Sequence, residues 1–245
     1  MVYIMYTLLS NSLILVRAVM KVFFIPGLLC TSHVWGSVNN IRNKYACYDA
    51  DVVNFNTIER MSDALVSTIP SDDIAIIGIS MGGYVAMDAA LKLGSRLRKL
   101  ILINTTSNPV NQATISDRKK AMQLAEKGSL SEIVAMSKGI CYYKPKEEWL
   151  LLEESMAKEI GSESYLRQQN AIINRKDYSK LIKNITADTL VISGRNDKVA
   201  PFKDSLFMVE QINNSSLILL NECGHLSTLE KGSVIVDCIQ KFLEA

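Results

Sequence analysis

Ile74-Ala75-Ile76-Ile77-Gly78-Ile79-Ser80-Met81-Gly82-Gly83-Tyr84-Val85-Ala86 is the stretch that decides how this chain folds. Four apolar residues run into a Gly-x-Ser-x-Gly pentapeptide, and the residues from Met81 to Leu93 continue as an Ala-rich helical pattern. A strand that turns directly into a helix leaves no room for side chains at Gly78 and Gly82, while the strained backbone pushes the Ser80 hydroxyl out over the sheet end. Chance alone yields this pentapeptide in roughly one chain in ten of this length. The bland alternative is a glycine-rich turn in which Ser80 merely caps the helix. The strand before and the helix after favour an exposed nucleophile.

Outward from that stretch, short apolar runs alternate with longer amphipathic ones. Residues 22–25, 49–53, 74–77, 100–103, 189–193 and 217–220 read as strands, and 57–68, 81–93 and 233–242 as helices. Continuous apolar strands separated by helices imply a mostly parallel sheet covered on both faces, with functional residues at the strands' carboxyl ends. The rhythm breaks between 106 and 186, where only helical patterns occur: 116–127, 130–138, 147–159 and 164–174. A structureless loop of that length is improbable inside a compact domain, so the segment is expected to be a helical cap. The division is a core of residues 20–105 and 187–245, a cap of 106–186, and an apolar extension at 1–19.

That extension has no charge before Arg17, no signal-like basic start, and a polar Ser10-Asn11-Ser12 interruption, which argues against export or a membrane span. Two readings fit: a hairpin of 2–9 and 13–16 added to the sheet edge, or a non-native extension ahead of a start at Met20. The strand-like Met20-Lys21-Val22-Phe23-Phe24-Ile25 weighs for the second.

The 245 residues are 48% hydrophobic, ample for a sizeable core, and carry a net charge of +2 with acids and bases interspersed. No long-range field draws in nucleic acid or an anionic membrane surface. Five scattered cysteines without a C-x-x-C pair suggest neither a disulfide framework nor a zinc site, and a reducing, cytoplasmic setting is expected.

Serine is a poor nucleophile without a base. Of the two histidines, His33 follows the first strand, whereas His225, in Glu222-Cys223-Gly224-His225-Leu226, follows the last and is the better base. The acid that fixes its tautomer is expected at Asp197, just past the strand at 189–193; Asp188 precedes that strand and would lie at the wrong end of the sheet. The oxyanion formed during attack requires two N–H groups. Met81, at the start of the helix, and Leu28, in Pro26-Gly27-Leu28-Leu29, are placed to supply them.

The order Ser80, Asp197, His225, the elbow, the Pro-Gly-Leu loop and the helical insertion together resemble the α/β-hydrolase superfamily over residues 20–245. Phe24-Ile25-Pro26-Gly27-Leu28-Leu29-Cys30 and Gly224-His225-Leu226-Ser227 are similar to the small capped hydrolases. These include carboxylesterases, 3-oxoadipate enol-lactonases and pimeloyl-carrier-protein methyl ester esterases. Where many relatives carry His-Gly after the first strand, this chain has Pro26-Gly27, which removes one polar contact but keeps the backbone donors. The resemblance implies Ser80 as nucleophile, Asp197 as acid, His225 as base, Leu28 and Met81 as oxyanion donors, and no metal or cofactor.

The expected function is hydrolysis of a small carboxylic ester, thioester or lactone. Alternatives keep the triad for C–C bond hydrolysis, hydroxynitrile lyase or cofactor-free perhydrolase chemistry, or abandon catalysis for a binding module. Candidate substrate contacts are Leu29, Trp35, Tyr142, Trp149 and Arg167, the last as a bidentate partner for a substrate carboxylate. Met122, Met136, Tyr143 and Met156 could also roof the pocket, although packing among cap helices accounts for such residues equally. The basic clusters Arg118-Lys119-Lys120 and Lys144 with Lys146 could meet an acyl-carrier protein, but nearby glutamates favour a solvated surface.

Overall fold

A computed structural model describes residues 6–9, 12–15, 20–69, 73–137 and 139–245. In chain order the strands are β1 (Tyr6–Leu9), β2 (Ser12–Leu15), β3 (Lys21–Ile25), β4 (Ala46–Asp49), β5 (Ile74–Ile79), β6 (Leu97–Ile103), β7 (Asp188–Gly194) and β8 (Ser215–Leu220). The helices are α1 (Ile58–Thr68), α2 (Met81–Leu93), α3 (Gln112–Glu126), α4 (Leu130–Ser137), α5 (Glu147–Ile173), α6 (Phe202–Gln211), α7 (Ser227–Glu230) and α8 (Gly232–Glu244).

Strands β3 to β8 form one parallel sheet in the order β4-β3-β5-β6-β7-β8. The pleat sends alternate residues to opposite faces. Phe23, Ile25, Ile74 and Ile76 pack with α1, α2 and α6, while Val22, Phe24, Ala75 and Ile77 pack with α8 and the 3-10 segment Ser32–Asn43. Every residue of β5 is buried, as a strand covered by helices on both sides must be. Each fully buried chain such as Phe24 or Ile76 contributes about 1.5–3 kcal/mol.

Strand order reverses at β3, which has β4 on one side and β5 on the other. The loops leaving β3 and β5 therefore diverge to opposite faces and open a crevice at their carboxyl ends. Ser80 and Leu28 stand on those two loops.

Two expectations are corrected. The second strand of the main sheet is Ala46–Asp49 rather than 49–53, because pairing with β3 runs from Lys21 opposite Ala46 to Phe24 opposite Asp49. The apolar Val52 that suggested a strand instead packs its side chain into the core from a loop. At the amino terminus, β1 and β2 pair with each other, Tyr6 opposite Leu15, in a separate two-stranded sheet. A hairpin thus forms, but it is not added to the edge of the main sheet. The rest of residues 1–19 lies outside the described residues, as does the question of a start at Met20.

Between β6 and β7 lie only helices and turns among the described residues. Helix α3 begins earlier than residue 116, at Gln112, because the Asn111 side chain caps it by accepting from the Thr114 N–H at 2.9 Å. Helix α5 is broken at Gly161, whose φ of 75° and ψ of 167° interrupt it, and so corresponds to the two helices read at 147–159 and 164–174.

Candidate active site

Ser80 sits between β5 and α2 with φ 54° and ψ −117°, a strained backbone for a residue with a side chain. The glycines around it are there because nothing else fits. A Cβ on Gly82 would lie 2.0 Å from the Ile25 carbonyl oxygen, and one on Gly78 would lie 2.4 Å from that of Gly82. The turn is also held from β6: the Ser80 N–H donates to the Ile103 carbonyl at 3.0 Å, and the Thr105 hydroxyl donates to the Ser80 carbonyl at 2.8 Å.

The loops after β7 and β8 bring Asp197 and His225 to this serine. His225 Nε2 lies 2.8 Å from Ser80 Oγ, and His225 Nδ1 lies 2.8 Å from Asp197 Oδ2. With an ionised carboxylate, Nδ1 carries the proton and donates, leaving Nε2 to accept from the Ser80 hydroxyl. Asp197 Oδ1 accepts from the N–H groups of Val199 at 2.8 Å and Ala200 at 2.9 Å. Asn104 Nδ2 adds a bond to Asp197 Oδ2 at 2.8 Å. Burial pushes the Asp197 carboxyl up, but the His225 imidazole, the Ala200 N–H and Asn104 outweigh it and hold the group below the ordinary carboxylate range. His225 itself is pinned by its own N–H, which donates to the Cys141 carbonyl at 2.7 Å.

The loop after β3 approaches the serine so closely that a Cβ on Gly27 would be 3.3 Å from Ser80 Cβ. Leu28 and Met81 both border the cavity beside Ser80. Met81 opens α2, where first-turn N–H groups have no partner within the helix. Leu29, directly after Leu28, has φ 56°, and its N–H donates to the Gln168 side-chain oxygen at 3.0 Å. Gln168 is fully buried and donates in turn to the Val52 carbonyl at 3.2 Å, so α5 clamps the loop.

Ser80 and His225 open onto a cavity of about 600 Å³, also lined by Leu29, Tyr84, Met156, Arg118 and Arg175. Of the expected substrate contacts only Leu29 borders it. Trp35 is fully buried edge-on against Phe24. Tyr142 and Trp149 stack on each other with ring centroids 5.3 Å apart and pack into the core. Arg167 donates to the Val53 carbonyl at 2.8 Å and to Ser164 at 3.0 Å. Met136 is 72% exposed and is not among the residues that line the cavity. The rival acid Asp188 pairs with Lys99 at 3.1 Å at the start of β7, and His33 is exposed beside Thr31.

Sequence reading missed Asn104 and Arg175, did not single out Gln168, and placed Arg118 only in a basic cluster on a solvated surface. Only Asn104, directly after an apolar strand, carried a usable signal. The cavity also holds a rival nucleophile in Cys30, but burial pushes its thiol up to about 12, so it stays protonated near neutrality. All five cysteines are free, and among the described residues no cluster of His, Cys, Asp and Glu could hold a metal ion. No helix among them is long and apolar enough to cross a membrane.

A parallel sheet with a strained serine elbow and a histidine and a carboxylate on later strand ends defines the hydrolase class of α/β protein. A family model described as alpha/beta hydrolase fold matches residues 43–232, and the chain belongs to that family. It is 26% identical over 205 residues to a 2-hydroxy-6-oxononadienedioate/2-hydroxy-6-oxononatrienedioate hydrolase of Pseudomonas putida, covering 75% of this chain and 67% of that protein. It is likewise 26% identical over 197 residues to the pimeloyl-[acyl-carrier protein] methyl ester esterase of Nitrosospira multiformis, covering 75% and 73%. Among solved structures, an esterase from Thermogutta terrifontis superposes with a TM-score of 0.82 at 21% identity, covering 92% and 89% of the two chains. The enol-lactonase of Burkholderia xenovorans superposes with a TM-score of 0.81 at 17% identity, covering 94% and 93%. At these identities the structures establish a shared fold.

Proposed function

We propose that this hydrolase cleaves a small carboxylic ester, thioester or lactone through an acyl-enzyme on Ser80. The observation that carries the reading is the series Ser80, His225, Asp197, joined by two contacts of 2.8 Å. In the reaction, Ser80 Oγ attacks the carbonyl carbon as His225 Nε2 takes its proton, and the N–H groups of Leu28 and Met81 receive the oxyanion. His225 then returns the proton to the leaving alcohol or thiol. Water enters by the same route, with His225 again as base, and releases the acid. Asp197 holds the imidazole and stabilises its charged form. Residues 106–186 serve as the cap over a core of 20–105 and 187–245, closing the cavity above Ser80 and supplying Arg118, Met156 and Arg175 to its wall.

The test is covalent labelling with a fluorophosphonate, followed by hydrolysis of p-nitrophenyl acetate and butyrate. Wild type is expected to label and turn over both esters, whereas Ser80→Ala does neither. An intact protein that resists the probe would overturn the reading in favour of a binding module.

A second reading comes from the relatives. A 2-hydroxy-6-oxononadienedioate contains no ester, so its hydrolysis must break a carbon–carbon bond, and the same series could serve that reaction here. Cleavage of a 6-oxo-dienoate without turnover of p-nitrophenyl esters would favour it. An acyl-carrier partner is supported by the methyl ester esterase relative. The basic clusters add little: Lys120 pairs with Asp117, and Lys144 and Lys146 lie over Tyr143 and Trp149.

A further inference from the structure

Charge in the cavity wall is uneven. Its acidic side chains are Glu153 and Asp204, and its basic ones are Arg118, Arg175, Lys198 and Lys203. The two lysines are exposed, and water already stabilises them. The two arginines are half-buried, and the Nε of each is buried without a hydrogen-bond partner.

Arg175 is fixed from behind. Its Nη1 donates to the Ile172 carbonyl at 3.0 Å, its Nη2 donates to the Asn108 carbonyl at 2.9 Å, and its guanidinium lies 4.3 Å over the Tyr84 ring. Tyr84 is one helical turn along α2 from Ser80. Arg118 has one partner, Gln169 Oε1, which accepts from Nη1 at 2.7 Å. Its Nε–Nη2 edge is unused among the described residues, and no carboxylate there pairs with either arginine. Burial pulls the Arg118 pKa down; Tyr84 opposes that and the neighbouring Arg175 charge adds to it. A purely structural Arg118, tying α3 to α5 through Gln169, needs only Nη1 and gains nothing from a second cation. Two half-buried guanidiniums that share a wall, each with an unpartnered Nε and neither paired with a described carboxylate, are poorly stabilised unless a ligand brings them an anion. The unpartnered Nε and Nη2 donors of Arg118 have the spacing that a carboxylate takes in two-point geometry.

We infer that the substrate carries a carboxylate in addition to the bond that is cleaved, and that Arg118, with Arg175 beside it, seats this carboxylate while the reacting carbonyl lies at Ser80. The second clause rests on the proposed role of Ser80; the first does not. The chemical class is the half-ester or ω-carboxy acyl compound. This assigns to Arg118 the part that sequence reading gave to Arg167, which lies outside the cavity lining, donates to Val53 and Ser164, and already pairs with the Glu163 carboxylate at 3.6 Å.

The experiment uses full-length Ser80→Ala protein, which binds without turnover, titrated calorimetrically with monomethyl adipate and with uncharged dimethyl adipate. The half-ester is expected to bind at least about tenfold more tightly, as a two-point guanidinium–carboxylate contact provides. Adding Arg118→Gln should bring the ratio near one, Arg118→Lys should restore part of it, and Arg167→Gln should leave it unchanged. Equal affinity for the two esters overturns the inference, as does a preference that survives Arg118→Gln. If Arg118→Gln fails to fold, the ratio in the Ser80→Ala protein and its fall in Arg118→Lys decide alone. Loss of fluorophosphonate labelling with an intact binding ratio would sink the serine mechanism and leave the anion seat standing. Normal labelling with equal binding would do the reverse.

Discussion

Asn104 Nδ2 donates to Asp197 Oδ2, the same oxygen that accepts from His225, and both contacts are 2.8 Å. Asn104 follows β6, Asp197 follows β7 and His225 follows β8, so one amide ties three strand ends into a single polar unit. Its Nδ2 also donates to the Gly224 carbonyl at 3.2 Å, and its own oxygen accepts from the Ser227 hydroxyl. The residue is completely buried, so removing the amide takes this bond from the Gly224 carbonyl and the Ser227 hydroxyl and leaves Asp197 Oδ2 with His225 alone.

Asn104→Ala is therefore expected to lower kcat about 10- to 100-fold with little change in KM, because the imidazole is misaimed rather than the substrate lost. Stability should fall by about 1–3 kcal/mol from the unsatisfied groups. Steady-state kinetics and urea unfolding on the same preparation check both. Unchanged kcat with reduced stability would reduce Asn104 to a purely structural residue.

Asp197 also makes stability depend on pH in a defined sense. Its carboxyl is held below the ordinary range, so the unfolded chain binds its proton first as pH falls. The stabilisation is fully present above the unfolded value of about 4 and is lost as pH drops through the lower folded value. Unfolding free energy measured between neutrality and acid should fall more steeply below about pH 4 in wild type than in Asp197→Asn. Parallel curves would show that His225 and Asn104 do not stabilise the charged carboxylate.

How far the sequence speaks depends on whether a residue is placed by one element or by two. Ser80, Asp197 and His225 each follow an apolar strand in a parallel sheet, and the shared direction of those strands alone carries them to one end. Trp149 and Arg118 are different, because which side of α3 or α5 faces the cavity depends on how those helices pack on each other. Trp149 spends its ring on Tyr142, and Arg118, which looked like part of a solvated basic cluster, points inward to Gln169. The strand misplaced at 49–53 has the same cause: only pairing with β3 distinguishes Ala46–Asp49 from the apolar loop beside it.

Gln168 is expected to act on catalysis without touching substrate. It holds the Leu29 N–H at 3.0 Å, and Leu29 follows the residue proposed to donate to the oxyanion. In Gln168→Met the loop after β3 loses its clamp, and kcat should fall about tenfold or more while KM moves little, since the oxyanion exists only beyond the ground state. The fluorophosphonate labelling rate should fall in proportion. A change confined to KM would instead make Gln168 part of the substrate pocket.

The elbow itself sets the sharpest contrast in stability. An Ala at position 82 would press its methyl to 2.0 Å from the Ile25 carbonyl oxygen, and that oxygen belongs to the end of β3, where no side chain can swing aside. Gly128 has φ +83°, but no heavy atom within 4 Å of where a Cβ would stand. Gly128→Ala should thus cost only about 1 kcal/mol for its left-handed backbone. Gly82→Ala should cost more than about 4 kcal/mol or yield no soluble protein, since both the strand end and the start of α2 must shift. Thermal unfolding separates the two, at roughly 2–4 °C for each kcal/mol in a chain of this size. If Gly82→Ala melted within a few degrees of wild type, the tight approach of the nucleophile turn to β3 would not exist in solution, and the placement of Leu28 beside Ser80 would fall with it.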